Sequence, residues 1–128
     1  MMKELTESRV EAGVKLIQEA DKGKLVNLTV VFWAYIPENE DWRLLVSTPS
    51  LESKGPKSVY KSLQSIIKRS GIIDELPLGD IALVNKKSSL IVMMKMAVKT
   101  GRNIANISFK GNTVNGTLLP DALIYRVT

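Results

Sequence analysis

Two apolar runs separated by a short polar segment constrain this chain more than any other feature. VNLTVVFWAYI is followed by PENED and then by WRLLVST. In the first run Val26, Leu28, Val30, Phe32, Ala34 and Ile36 alternate with Asn27, Thr29, Val31, Trp33 and Tyr35. A period of two marks a strand, and the odd positions read as a second, amphipathic face. Strands are expected over 25–36 and over Trp42 to Thr48, joined as a hairpin. Pairing Ile36 with Trp42 buries Phe32, Ala34, Ile36, Trp42, Leu44 and Val46 on one face. It sets Trp33, Tyr35, Arg43, Leu45 and Ser47 on the other.

Around this hairpin the spacing predicts helices. Residues 4–22 carry an apolar stripe of Leu5, Val10, Val14, Ile17 and Ala20, with Gly23 as terminator. A second helix opens at Gly55-Pro56, where proline suits the first helical position. It carries Val59, Tyr60, Leu63, Ile66 and Ile67 on one side and Lys57, Lys61, Gln64 and Lys68 on the other, and it ends at Gly71. Residues 71–80 read as a loop and Ile81 to Val84 as a short strand. Ser88 or Ser89 caps a third helix through Thr100, ended by Gly101. That helix is apolar nearly all round. Further strands are expected over Ile104 to Lys110 and Ala122 to Val127, with turn signals in GNTVNG. The order α-β-β-α-β-α-β-β over residues 1–128 implies a single α+β domain, with helices packed on a mixed, largely antiparallel sheet.

The chain of 128 residues contains neither histidine nor cysteine. A Ser-His-Asp triad, a Cys-His pair and a His-ligated zinc site therefore have no residues to build them. No apolar run approaches the roughly 20 residues that span a bilayer. The N-terminus lacks the compact apolar block of a secretory signal. A cytoplasmic, bacterial-type protein without a membrane is expected, and no cofactor or metal is assigned.

The net charge of +5 is unevenly spread. From Met1 to Lys24 five bases meet five acids, whereas Lys54 to Ser70 holds five bases and Lys86 to Lys110 six, with no acid in either stretch. Such segregation suits an anionic partner, nucleic acid included, or else a solvated lysine face. Ser53, Lys54, Lys57, Lys61 and Lys68 are the candidate anion-binding residues, gathered at a helix start where backbone N–H groups favour anions. Missing glycines and Pro56 argue against a nucleotide-binding loop. Glu52-Ser53-Lys54 also spells the Glu-x-Lys of restriction-endonuclease-like nucleases, with Asp41 as the first acid. That is the alternative catalytic reading, and its spacing fits badly. Glu38, Glu40 and Asp41, like Asp74, Glu75 and Asp80, lack the glycine-punctuated spacing of a calcium loop.

Trp33, Tyr35 and Arg43 are expected on one hairpin face, as core, interface or a base-stacking surface. Ile91, Val92 and Met96, on the over-hydrophobic helix, are candidates for a protein interface. The strings FWAYIPENEDWRLLVSTP, KGPKSVY and GNTVNGTLLPDALIYR resemble a family of small uncharacterised bacterial proteins. That resemblance implies a compact, self-contained domain and assigns no residue a role. The expected function is a small non-enzymatic binding or regulatory module. Its partner is another protein, itself included, or an anion such as nucleic acid.

Overall fold

A computed structural model describes residues 4–24 and 26–128. Leu25, within the first expected strand, lies outside the described residues, as do residues 1–3 of the stretch read for a signal. The elements run α1 (Glu7–Gly23), β1 (Val30–Ile36), β2 (Asp41–Ser47), α2 (Ser50–Lys54), α3 (Pro56–Ser70), β3 (Ile81–Leu83), α4 (Ser89–Ala97), β4 (Ile107–Phe109), β5 (Thr113–Val114), β6 (Thr117–Leu118) and β7 (Ala122–Val127). The fold is α+β. A five-stranded sheet has the order β3-β2-β1-β7-β4, and β5 and β6 form a separate ribbon. All neighbours in the large sheet are antiparallel except β2 and β3. That parallel pair is made by the crossover through α2 and α3.

Two apolar layers hold the sheet. On one face Leu16, Ile17 and Ala20 of α1 and Val59, Leu63, Ile66 and Ile67 of α3 pack on Val31, Trp33, Leu44 and Val46. On the other, Ile91 and Met94 of α4 pack on Phe32, Ala34, Leu45, Ile124 and Val127. This explains the nearly continuous apolar run of β1, because both of its faces are covered.

The hairpin register differs from expectation by one residue. Ile36 pairs with Asp41, Tyr35 with Trp42 and Trp33 with Leu44. A 3-10 turn at Pro37–Asn39, closed by Glu40 in the left-handed conformation at φ 50°, consumes four residues and leaves Asp41 in the strand. A slip of one residue exchanges faces. Trp33 and Tyr35 therefore share the helix face with Trp42, Leu44 and Val46, not with Arg43. Phe32 and Ala34 lie instead with Leu45 on the α4 face.

Other boundaries move too, among them the starts of the first helix at Glu7 and of the first strand at Val30, later than the expected 4 and 25. The expected connection before Gly55 contains α2, whose Ser50 N–H is held by the Thr48 hydroxyl at 3.3 Å. Gly55, at φ 83°, breaks α2 from α3 in a conformation that side chains rarely adopt. The third expected helix stops at Ala97, short of Thr100. Extended backbone follows at Val98, and the Thr100 N–H then donates to Val127 O at 3.0 Å, beside the end of β7. β4 is shorter than its expected span and begins at Ile107.

Candidate anion-binding face

α3 positions the candidate site. Its apolar stripe is buried against α1 and the sheet, so the positions at 57, 61, 64 and 68, spaced four, three and four residues apart, must form the outer stripe. Lys57, Lys61 and Lys68 are exposed. They line a shallow groove of about 610 Å³ together with Tyr60, Gln64, Ser65 and Leu78. No carboxylate pairs with any of the three among the described residues. α3 contains no acid at all. Lys57 and Lys61, four apart on one helix, repel by about 0.2–0.5 kcal/mol with nothing to offset it.

The other candidates fall elsewhere. Ser53 and Lys54 are exposed on α2 and do not line this groove. Glu52 pairs with Lys86 at 3.4 Å. Asp41 opens β2, while Glu52 lies past its end. Seven residues of strand, about 20 Å, separate them. Asp41, Glu52 and Lys54 are therefore not brought together as a metal-nuclease site. Asp41 instead accepts from Arg9 at 3.0 Å, and Arg9 also reaches Asp80 at 3.3 Å. Asp41, Asp74, Glu75 and Asp80 line one shallow depression with Arg9. No group of three or more acids is placed to hold a metal ion among the described residues.

Trp33 has no exposed surface, so it offers no stacking platform. Its indole N–H donates to the Tyr125 hydroxyl at 2.8 Å, and the Arg9 guanidinium lies 4.8 Å from its ring centre. Tyr35 meets Trp42 edge-on at 5.6 Å. Arg43, on the opposite face, donates to Gly79 O at 2.7 Å. Of the expected interface residues, Ile91 lies fully buried on the sheet-facing side of α4 and is core, whereas Val92 and Met96 are exposed.

Sequence reasoning missed the part played by Tyr60. It counts as one apolar member of the stripe, yet its hydroxyl accepts from Leu83 N–H at 3.2 Å and lies 3.5 Å from Ile81 O. The groove wall is thus pinned to the outer edge of β3. Gln64 counts in the sequence only as part of the polar stripe. Its Oε1 is buried, with no hydrogen-bond partner among the described residues. No protein-family model, curated protein or solved structure matches the chain. No described helix is long and apolar enough to cross a membrane.

Proposed function

We propose that this protein is a small binding module that holds the phosphate backbone of a nucleic acid along the outer face of α3. The carrying observation is the convergence of Lys57, Lys61 and Lys68, with no carboxylate partner among the described residues, on one groove. Lysine binds phosphate as a mobile point charge. Three of them on a 12-residue helical stripe suit a repeating anion better than a single small one. The groove is shallow, so backbone contacts dominate and sequence preference is weak.

Titration of a fluorescent single-stranded oligonucleotide at several salt concentrations tests this reading. Three phosphate contacts give a slope of log K against log salt of about −2 to −3. The triple variant K57Q/K61Q/K68Q should flatten that slope toward zero and lose binding. Absence of binding at low salt, or unchanged binding by the triple variant, would refute it.

A further inference from the structure

The two outer edges of the large sheet are treated differently. At β3 the Tyr60 hydroxyl occupies the edge, accepting from Leu83 N–H and lying against Ile81 O. At the other edge β4 pairs only with β7, and no strand lies on its outer side among the described residues. An open edge presents unpaired N–H and C=O groups and is a template for another strand. Asn106 and Ser108 are exposed along it, and Ile107 and Phe109 are half-buried toward the α4 side.

The segment that forms and flanks this edge is almost uncharged, with Glu4 and Lys110 both beside Asn106 and Ser108. The β5–β6 ribbon lies between β4 and β7 in the chain and has no third strand among the described residues, and a two-stranded ribbon alone is marginal in water. It leans on α4, where Asn115 Nδ2 donates to Met96 Sδ at 4.0 Å. α4 and the ribbon carry large exposed apolar side chains: Leu118 of β6 is 66% exposed, and Met96 and Val92 of α4 are 58% and 46% exposed. Residues 103–120 carry a single charge, Lys110, in a chain of net charge +5. Two basic copies repel wherever their lysines meet, so this neutral edge is where a second copy approaches at least electrostatic cost.

We infer that this protein dimerises through an antiparallel pairing of β4 with β4 of a second copy, with Met96 and Leu118 covered at the flanks. The contact is two-fold and self-complementary. Centring it on Ser108 sets each Lys110 opposite Asn106 of the second copy, so the two lysines lie at opposite ends of the pair.

Sedimentation equilibrium from about 1 μM to 1 mM, combined with hydrogen exchange, tests this placement. The wild-type chain should reach twice its 14.2 kDa mass. The Ser108 amide should exchange on the order of tenfold more slowly at the high end. M96K/L118K should weaken the dimer on the order of a hundredfold with an unchanged far-ultraviolet spectrum. I73K, at an exposed residue that follows α3, should leave it intact. A wild-type monomer across the range overturns the inference. So does a dimer that survives M96K/L118K with no concentration dependence of Ser108 exchange.

Discussion

Gly13 sits inside α1, where glycine costs about 1 kcal/mol relative to alanine. The structure supplies the reason for it. A Cβ at Gly13 would lie 2.6 Å from Cε2 and 2.7 Å from Cζ of Tyr125. The helix therefore rides directly on that ring, and the Tyr125 hydroxyl donates to Val10 O at 2.6 Å while accepting from the Trp33 indole. G13A should destabilise by about 1–3 kcal/mol, because the core is overpacked against a rigid ring. Chemical denaturation checks this, and a stabilised G13A would mean that helix propensity outweighs the contact. Burial also pushes the Tyr125 phenol well above the usual tyrosine range. The neutral phenol thus contributes stability that is present below about pH 10 and lost as pH rises further. Y125F should abolish that alkaline loss. It should also cost about 1–3 kcal/mol at neutral pH, where Val10 O and the Trp33 N–H lose their partner.

Among the elements, α1 and β7 are tied at a second point. The register between β1 and β7 shifts between Val31 and Phe32, which pair with Arg126 and Ile124 and leave Tyr125 as the extra residue. Consecutive side chains, Tyr125 and Arg126, therefore both reach α1. Arg126 is 1% exposed and donates to Asp21 at 2.7 and 3.1 Å, to Leu28 O and to Arg102 O. The hydrogen bond from Arg126, opposed in part by burial, holds the Asp21 carboxyl below the usual aspartate range. The folded state thus gains stability that is present above the unfolded value of about 3.9 and lost as pH falls through the folded one. Thermal melts between about pH 5 and 2 should show this acid limb. D21N should melt lower at pH 7 and lose the limb's Asp21 component; an unchanged limb would place the acid sensitivity elsewhere.

This junction marks the limit of what the sequence reveals. The helix stripes, the Gly55-Pro56 start and the Asn115-Gly116 turn, with Asn115 at φ 51° and Gly116 at φ 78°, rest on local chemistry and were legible. The lysine stripe of α3 follows from the same periodicity. The hairpin register depended on whether Asp41 belongs to turn or strand, and its ion pair with Arg9 is a contact 32 residues away. The bulge at Tyr125 and the sealing of β3 by Tyr60 likewise require partners distant in sequence. Y60F should remove that seal, raising exchange at the Leu83 amide and costing about 1 kcal/mol. Unchanged exchange would mean that burial alone protects the edge.

For the whole molecule, the register places charge at one end of the sheet. β1 runs into the turn holding Glu38 and Glu40, β2 starts there at Asp41, and β7 starts there at Ala122, just after Asp121. Asp74, Glu75 and Asp80 share a depression with Asp41. α3 starts from beyond the other end of β2 and carries bases only, so a net charge of +5 understates the field at its outer face. Two opposite charge changes then separate local binding from general attraction. K57Q/K61Q/K68Q lowers the net charge from +5 to +2, and E38K/E40K raises it to +9. If attraction follows net charge alone, the second variant should gain more affinity for an oligonucleotide than the first loses. With binding along α3, the acidic turn acts only through long-range steering, which is screened beyond about 8 Å at physiological salt. E38K/E40K should then bind less than tenfold tighter at low salt and like the wild type near 0.15 M salt, where the lysine variant has already lost binding. A strong gain for E38K/E40K that persists at that salt would relocate the anion from the groove to the molecule's overall charge.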